Sequence, residues 1–370
     1  MEKNNNLFFV WTPFQLFVAQ NVIIQEKLIH NILICGYVGD NNHFYDTYNL
    51  LKIDLLWERC YQVDSLPTYA SIEKKSIVKD IFRLLKNDKL INDIVIKENI
   101  GSLYLGDIEN VSCRFWAFRY ASKGLNVIFY EEGTVHYISH KIKARGGCLI
   151  NFLVSFFLDT FIYIPKFGFP FAKYIFVDNI SFDMIPVSQR YSIVPKFHTK
   201  VDKQLVINGG LSYQLLDYIQ KEISVIAGFK KKMILFLSQP IDYQYGSTGI
   251  MRDTIKENFS KNEYLNNLVV IKFHPRETEL KKKIILSVFK EIGIDYCVLS
   301  NNYAIPIELF LMKISFDKIV HFYTSTFMYS GYIYPKTSFI SIFPTYIKRC
   351  KAKGIDTETL EYIANQLQIL

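Results

Sequence analysis

Short apolar segments alternate with amphipathic helical patterns along most of the chain, and this alternation constrains the fold more than any other feature. Strands that alternate with helices form parallel βαβ units in a doubly wound sheet. The sequence therefore predicts the α/β class. In the first half the predicted strands are Leu7–Trp11, Asn31–Tyr37, Tyr61–Asp64, Leu103–Gly106 and Leu125–Tyr130, and the predicted helices are Pro13–Gln25, Ser71–Lys86 and Val111–Ser122.

The second half repeats the alternation, so the 370 residues are predicted to form two Rossmann-like domains. A domain usually takes about 100–200 residues, which fits that number. We place the domains at residues 1–205 and 206–370, facing a central cleft, with ligands at the carboxyl ends of the strands. The predicted strands are Met233–Leu237, Leu268–Phe273, Lys318–Phe322 and Ser338–Ile342, and the predicted helices are Leu280–Ile292, Ser325–Tyr332 and Thr357–Gln368.

The middle of the chain, residues 134–205, is the least regular part. Its segment Cys148–Ile164 is mostly apolar but includes Asp159. A transmembrane helix needs about 20 largely uncharged apolar residues, so this segment is too short. A buried or dimer-contact helix is the simpler interpretation. Interfacial contact with a membrane is the alternative, supported by the basic residues Lys141, Lys143 and Arg145 just before it.

Composition narrows the class of protein further. Hydrophobic residues make up 50% of the chain and charged residues 21%, which excludes a disordered chain. The high aromatic content, 16%, favours large buried surfaces, an oligomer or a membrane contact. The net charge of +8 suits an anionic substrate or a membrane face. No nucleic-acid-binding motif appears, so we expect no nucleic acid partner.

Cysteine and lysine positions add two expectations. The cysteines are scattered, without a Cys-x-x-Cys pair or a Cys/His cluster, so neither a disulfide framework nor a structural metal is expected. The first residues lack the pattern of a signal peptide. Two lysine triplets, residues 230–232 and 281–283, indicate solvated charge at the edges of elements.

An acidic turn follows the predicted strand Leu125–Tyr130. Glu131 and Glu132 precede Gly133, which permits a tight turn. Paired carboxylates at the carboxyl end of a strand are suited to act as a base or to orient a sugar hydroxyl. The alternative interpretation is a helix start with acidic residues.

A histidine follows the predicted strand Leu268–Phe273. His274 is followed by Pro275 and flanked by Lys272 and Arg276. An imidazole held between a strand and a proline, beside two cations, is placed to donate a proton or a hydrogen bond to a departing phosphate. A lone histidine is usually structural, but the others in the chain lack this context.

Hydroxyl, amide and acidic groups follow two further strands. Thr324, Ser325 and Thr326 come after Lys318–Phe322 and either form a phosphate seat or simply cap a helix. Asp242 closes a turn after Met233–Leu237 and is either a base or an exposed turn acid. Glu308 lies early in a helix and is either a ribose acceptor or a helix-start acid. The turn before Asp242 contains Ser238, Gln239 and Pro240.

Taken in order along the chain, these motifs resemble bacterial sialyltransferases of glycosyltransferase family 52. The resemblance includes Thr12, Pro13 and Gln15 after the first strand, as an acceptor or structural turn together with Gly133. The His-Pro-Arg motif followed by the hydroxyl-rich turn is its most specific part. The bacterial polysialyltransferases share the Glu-Glu-Gly, His-Pro and Ser/Thr pattern and are the related family.

The resemblance implies a GT-B fold in which an acceptor-side domain precedes a domain that binds the nucleotide sugar. It implies a CMP-sialic acid donor and inverting transfer without a metal or cofactor. On this basis His274 is the general acid, residues 324–326 hold the phosphate and Glu308 binds the ribose. Asp242 is the expected base, while the polysialyltransferases place the base in the acidic turn, here Glu131 or Glu132. Ser238, Gln239, Pro240, Lys272, Pro275 and Arg276 complete the expected donor site.

The acceptor implied by the resemblance is a terminal galactose of a lipooligosaccharide, O-antigen or capsule. Alternative activities are transfer of glucose from a UDP-sugar and polysialic acid synthesis. A non-catalytic membrane-surface or assembly role is a third possibility, motivated by the apolar segment. The protein is expected to be cytoplasmic, peripheral on the inner membrane, and a homodimer.

Overall fold

The computed structural model describes residues 5–36, 42–63, 77–106, 110–131, 153, 155–172, 185–194, 203–207, 209–229, 231–239, 248–275, 277–300, 303–334 and 337–366. The chain divides into two compact units, Met1–Ser212 and Tyr213–Leu370. The first unit extends beyond the predicted boundary at residue 205. The two units are described separately below.

The first unit is built on a seven-stranded sheet of order β3-β2-β1-β4-β5-β6-β7, with parallel pairing throughout. Its central strand is buried from Leu7 to Val10, as expected for a parallel sheet covered on both faces. The strands are β1 Asn5–Val10, β2 Asn31–Gly36, β3 Arg59–Val63, β4 Ile100–Leu105, β5 Asn126–Tyr130, β6 Gln189–Ser192 and β7 Lys203–Gln204. The helices between them are α1 Pro13–Glu26, α2 Asn42–Leu51, α3 Ile77–Lys97 and α4 Val111–Ala121.

Several features of this unit differ from the prediction. Helix α2 was not predicted, and neither were strands β6 and β7, which are short and polar and carry no apolar run. Helix α3 continues past Lys86, where the predicted helix ends, and residues 71–76 lie outside the described part of the chain. Its apolar stripe extends the helix, since Leu84, Ile91 and Ile94 are all buried in the core.

The middle segment forms a helical stretch over residues 155–167. It includes a π-helical turn at Asp159–Tyr163 and the short helix α5, Ile164–Phe167. One side of the stretch is buried in the core of the first unit, as the simpler interpretation expected. The other side is exposed and apolar. No helix in the described part of the chain is long and apolar enough to cross a membrane.

The second unit is built on a five-stranded parallel sheet of order β10-β9-β8-β11-β12. Its strands are β8 Met233–Leu237, β9 Leu268–Lys272, β10 Tyr296–Val298, β11 Lys318–His321 and β12 Ser338–Ser341. Its helices are α6 Tyr213–Ala227, α7 Thr248–Phe259, α8 Asn262–Leu265, α9 Glu279–Glu291, α10 Ile307–Leu311, α11 Ser325–Met328, α12 Ser330–Ile333, α13 Phe343–Ala352 and α14 Glu358–Gln366.

The predicted fold class, GT-B with two Rossmann-like α/β domains, is confirmed by these two parallel sheets. The predicted helix Ser325–Tyr332 is divided into the two single turns α11 and α12, separated at Tyr329. In the second sheet β9, β8 and β11 are neighbours, so the segments that follow them meet at one edge.

Candidate active site

The carboxyl ends of β8, β9 and β11 bring together motifs that are far apart in the sequence. Ser238 continues the pairing of β8 with β9, because its backbone N donates to the carbonyl of Lys272 at 3.0 Å. His274 follows β9 and is half-buried, and Thr324 follows β11. These motifs were predicted from separate strand ends, and the sheet order places them side by side.

Glu277 connects two of these strand ends. Its Oε1 accepts a hydrogen bond from Ser238 Oγ at 2.5 Å, and its Oε2 accepts one from the backbone N of His274 at 3.2 Å. Its own backbone N donates to the His274 carbonyl at 3.0 Å. Glu277 is buried, and this burial raises the pKa of its carboxyl, while the bonds from Ser238, Lys281 and His274 oppose the rise. Hydrogen bonds to Glu277 therefore fix the backbone of the turn that carries His274 and connect this turn to Ser238.

Lys281 corrects the expectation that residues 281–283 are solvated charge. Its side chain is buried, and its Nζ donates to the Gln239 carbonyl at 2.8 Å and lies 3.2 Å from Glu277 Oε1. The side-chain Oε1 of Gln239 in turn accepts from the backbone N of Tyr323 at 2.8 Å. These contacts tie the turns after β8, β9 and β11 into one hydrogen-bonded group.

Lys272 is a buried cation at the end of β9. Its Nζ lies 3.5 Å from the carbonyl of Ser300 and 5.7 Å from the centre of the Phe310 ring. In the described part of the chain no carboxylate lies within ion-pair distance of this Nζ. Burial lowers the pKa of Lys272 to about 8, and the charge of Glu222 opposes the shift. An anionic ligand at this strand end would offset the free-energy cost of burying the charged ammonium.

Glu308 is joined to the hydroxyl-rich turn. Thr326 Oγ1 donates to Glu308 Oε1 at 2.7 Å, and Thr324 Oγ1 donates to Thr326 Oγ1 at 3.0 Å. Tyr334 OH donates to the carbonyl of Thr326 at 2.6 Å. Burial raises the pKa of the Glu308 carboxyl, and the hydrogen bond from Thr326 partly opposes this rise. Glu308 and the turn, assigned separate roles from the sequence, form one buried assembly.

This assembly distinguishes Ser325 from the threonines on either side. Thr324 and Thr326 direct their hydroxyl hydrogens to partners within the protein, and Thr324 Oγ1 also accepts from the backbone N of Thr326 at 3.3 Å. Both threonines are buried, whereas Ser325 is half-buried. Of the hydroxyls in residues 324–326, that of Ser325 is therefore the one best placed to meet a ligand.

In the first unit, Glu131 follows β5 and is turned inward. Its Oε2 accepts hydrogen bonds from Ser192 Oγ at 2.8 Å and from the backbone N of Ile193 at 2.5 Å. The carboxylate is almost fully buried, with 1% of the residue exposed. The donors come from the end of β6, a strand that the sequence did not predict. The structure thus fixes the carboxylate of Glu131 at the carboxyl edge of the sheet.

The Thr12 turn lies at the same edge. Thr12 caps α1, with its Oγ1 accepting from the backbone N of Gln15 at 3.2 Å, and Pro13 occupies the first turn of the helix. Gln15 Oε1 accepts from the backbone N of Trp11 at 2.5 Å. A Cβ on Gly106 would lie 2.8 Å from Gln15 Cδ, so glycine is required there. Thr12, Pro13 and Gln15 thus form a capped helix start that packs against Gly106.

Five predicted site residues lie outside the described part of the chain: Glu132, Gly133, Pro240, Asp242 and Arg276. Pro275 lies within it, in an exposed turn.

In the described part, no group of three or more His, Cys, Asp or Glu side chains is arranged to hold a metal ion.

Sequence reasoning missed Glu277, Lys281 and Ser192. Glu277 stands in the motif after His274, but it precedes the N-cap of α9, so the i, i+4 rule for helix faces gave no signal for its contact with Lys281. Ser192 was missed because it contacts Glu131 from a distant strand.

Both α/β units carry polar groups at the carboxyl edge of a parallel sheet, and the family of the chain says which class of enzyme this is. The family model of the alpha-2,8-polysialyltransferases (POLYST) matches residues 6–342. The chain belongs to this family. The prediction of a bacterial sialyltransferase family is confirmed, and the matching model is that of the polysialyltransferases.

The similarity of the chain to other known proteins is low. No curated protein matches the chain. Among solved structures, Medicago truncatula UGT71G1 complexed with UDP-glucose is 10% identical, with a TM-score of 0.48, over 100% of this chain and 94% of the other. The S. aureus MnaA-UDP structure is 12% identical, with a TM-score of 0.48, over 99% and 91%. The Rickettsia bellii UDP-N-acetylglucosamine 2-epimerase is 13% identical, with a TM-score of 0.47, over 86% and 73%. Identity at this level says nothing about the substrate.

Proposed function

We propose that the protein transfers sialic acid from CMP-sialic acid to a bacterial surface glycan, with inversion and without a metal ion. The observation that carries the proposal is the assembly of Ser238, His274 and Thr324 at neighbouring strand ends. The membership of the chain in a sialyltransferase family supports the same donor.

Sialyl transfer requires few catalytic groups from the protein. The bond between the anomeric carbon and the phosphate oxygen breaks, and the acceptor hydroxyl forms the new bond after giving its proton to a base. His274 donates a proton or hydrogen bond to the departing phosphate of CMP, and the Ser325 hydroxyl holds a phosphate oxygen. Glu308 accepts from the ribose, and the ammonium of Lys272 offsets the negative charge of the nucleotide.

The base is assigned to the acidic turn after β5. The family match is to the polysialyltransferases, whose resemblance places the base at Glu131 or Glu132 rather than at Asp242. Glu131 meets one further requirement, because donors at the end of β6 hold its carboxylate in a fixed position. A base held in place needs no reorganisation when the reaction begins.

The acceptor has two candidates. A terminal galactose follows from the resemblance to family 52. A glycan that already ends in sialic acid is the second candidate, and the family match favours it because that family is named for alpha-2,8 polysialic transfer.

The test is a turnover assay with EDTA present, using CMP-sialic acid with a labelled lactoside or a labelled sialyl-lactoside. We expect product from the wild type with one of these acceptors, and loss of product in His274→Ala. A thermal-shift series with CMP, UDP and their sugars runs in parallel, because a ligand at about 100 times its dissociation constant stabilises a protein by roughly 2.7 kcal/mol.

The two measurements separate the alternatives. Stabilisation by CMP without product would indicate a different acceptor. Stabilisation by UDP-sugars alone would replace the proposal by transfer from a UDP-sugar. If no nucleotide or nucleotide sugar stabilises the protein, the catalytic proposal fails, and the non-catalytic role regains support.

A further inference from the structure

The side-chain amide of Gln15 contains a hydrogen-bond donor that the fold does not use. Its Oε1 accepts from the backbone N of Trp11 at 2.5 Å and of Thr12 at 3.3 Å, and these two donors identify the oxygen side of the amide. Its Nε2 has no hydrogen-bond partner in the described part of the chain, although Gln15 is fully buried. A buried donor without a partner costs free energy, so such groups are rare in native proteins.

A glutamate in place of Gln15 would have avoided this cost. Gln15 is the third residue of α1 and closes a capping box with Thr12. Glutamate closes the same box, and its charge would interact favourably with the positive end of the helix dipole. The first turn of α1 nevertheless contains no acidic residue. With glutamine at this position, the helix keeps a positive N-terminal end and an unused donor, and this combination suits an anion.

The sheet of the first unit places this donor where α/β sheets bind ligands. Strands β1 and β4 are neighbours, and the chain leaves β1 towards β2 but leaves β4 towards β5, on the opposite side. Their carboxyl ends therefore flank a crevice at the point where the strand order reverses. Gly106 follows β4 there, and a Cβ on it would lie 2.8 Å from Gln15 Cδ and 2.9 Å from Tyr130 Cε2. The glycine thus allows the amide to lie against the end of β4.

We propose that the N-terminus of α1 binds the carboxylate of a sialic acid residue, with Gln15 Nε2 as the hydrogen-bond donor. This inference rests on the proposed function and names the part of the substrate that the first unit recognises. A carboxylate fits better than a hydroxyl, because a hydrogen bond to a charged acceptor is stronger and the helix dipole attracts an anion. Thr12 and Phe14 in the same turn are half-buried, so a ligand reaches the amide by displacing side chains of this turn.

Two sialic acid residues take part in the proposed reaction, and each carries a carboxylate. One belongs to the donor, CMP-sialic acid, and the other ends an acceptor such as sialyl-lactoside. Two pairs of ligands separate these sources. The donor pair is CMP and the inert analogue CMP-3-fluorosialic acid. The acceptor pair is lactoside and sialyl-lactoside, both titrated in the presence of CMP.

The experiment is calorimetric titration of the full chain and of Gln15→Glu with these four ligands. The variant keeps an oxygen for the capping box and replaces the donor by a negative charge. We expect it to lose at least tenfold in affinity for one or both carboxylate ligands, and to bind CMP and lactoside as the wild type does. The matched control is Gln25→Glu, the same exchange near the other end of α1, where the amide donates to the Gln204 carbonyl at 3.1 Å. This control should bind all four ligands like the wild type.

A second variant, Gln15→Met, removes both polar atoms of the amide without burying a charge, and it should show the same selective loss. A loss with CMP-3-fluorosialic acid assigns the carboxylate to the donor, and a loss with sialyl-lactoside assigns it to the acceptor. The proposal is overturned if both variants bind the carboxylate ligands as tightly as the wild type does. It is also overturned if they lose affinity for CMP and lactoside to the same extent. Failure of the proposed function gives a different pattern, because the wild type would then not bind CMP.

Discussion

Glu277 is hydrogen-bonded to His274 in both directions. Its backbone N donates to the His274 carbonyl at 3.0 Å, and its Oε2 accepts from the His274 backbone N at 3.2 Å. The same carboxylate also accepts from Ser238 Oγ at 2.5 Å. The imidazole of the proposed acid is therefore carried by a turn whose backbone is fixed by a neighbouring buried charge.

Glu277→Gln should lower kcat far more than it raises KM. The amide keeps the volume but replaces one acceptor oxygen by a donor, so His274 shifts relative to the departing phosphate. A displacement of about 1 Å at a reacting group can cost about 10²-fold in rate, and we expect a loss of roughly 10–100-fold. The measurement is steady-state kinetics together with the pH profile of kcat.

The matched control for this variant is Glu279→Gln. That side chain pairs with Lys282 at 2.6 Å and is 78% exposed, so its removal should leave kcat and the melting temperature unchanged. If Glu277→Gln loses activity only in proportion to a fall in folded protein, Glu277 is merely structural.

Lys272→Met should stabilise the unliganded protein while it weakens donor binding. Because the pKa of Lys272 is lowered to about 8 in the folded state, the charged form is disfavoured on folding. The wild type should therefore gain stability as pH rises from about 8 towards the unfolded pKa of about 10.4. The variant lacks this gain and should melt a few degrees higher at pH 7. Thermal melts from pH 7 to 9.5, with and without CMP, measure both effects.

The result that would contradict this account is a lower melting temperature for Lys272→Met at pH 7. It would mean that the ammonium is stabilised in the folded protein rather than desolvated. Lys231→Met, at an exposed lysine that pairs with Asp295 at 2.5 Å, serves as the control and should keep the wild-type gain in stability with pH, because it retains Lys272.

Glu308→Gln tests the buried carboxyl beneath the hydroxyl-rich turn. Burial raises the pKa of Glu308, so the folded state disfavours its ionised form, and stability is lost as pH rises above the unfolded pKa of about 4.3. The neutral glutamine should melt at or above the wild-type temperature at pH 7, and the difference should vanish near pH 4. Donor affinity should fall roughly tenfold, the effect of a lost charged hydrogen bond of about 1.5 kcal/mol. Calorimetric titration with CMP and melts across this pH range provide the measurements.

Ser325→Ala and Thr326→Val should have opposite consequences. The Ser325 hydroxyl is proposed to hold the phosphate, so its removal should lower kcat/KM by about 10-fold or more without a change in melting temperature. Thr326 bonds to Glu308 at 2.7 Å, so Thr326→Val leaves a buried acceptor without its donor and should destabilise by about 1–3 kcal/mol. If the two variants lose the same factor in kcat/KM and have the same melting temperature, the different roles proposed for Ser325 and Thr326 are wrong.

Glu131→Gln, Glu132→Gln and Asp242→Asn decide the base. General base catalysis contributes about 10²–10⁴-fold, so one of these variants should lose activity on that scale while still binding CMP. We expect the loss in the acidic turn. Ser192→Ala is the control for Glu131, because it removes the 2.8 Å bond to the carboxylate but leaves the carboxylate itself. A full loss in Asp242→Asn alone would return the base to the second unit.

The fold was predictable where apolar strands were long. The strands from Asn5 to Val10 and from Leu268 to Lys272 are buried runs that any parallel sheet requires. Strand β6 was not predictable, because Gln189–Ser192 has no apolar run and is fixed by its pairing with β5 and β7. Local pattern therefore identified the centre of each sheet better than its edges.

The site was predictable as a set of strand-end motifs, but not as a set of contacts. His274 and Thr326 stand out because of their neighbours in the sequence. The inward turn of Glu131 depends on Ser192, which lies far along the chain, and the burial of Lys281 depends on Glu277 and the Gln239 carbonyl. Such relationships arise from tertiary packing and have no local signature.

The buried contact of Ser238, Glu277 and Lys281 has a consequence for how this family diverges. Loss of Glu277 alone would take from the buried Lys281 ammonium its contact with a carboxylate and from the Ser238 hydroxyl its acceptor, and loss of Lys281 alone would take from the buried Glu277 carboxylate its contact with a cation. Single replacements are thus selected against more strongly than joint ones. Among relatives these three positions should co-vary as a unit, and a homologue that has exchanged one of them should have exchanged the others.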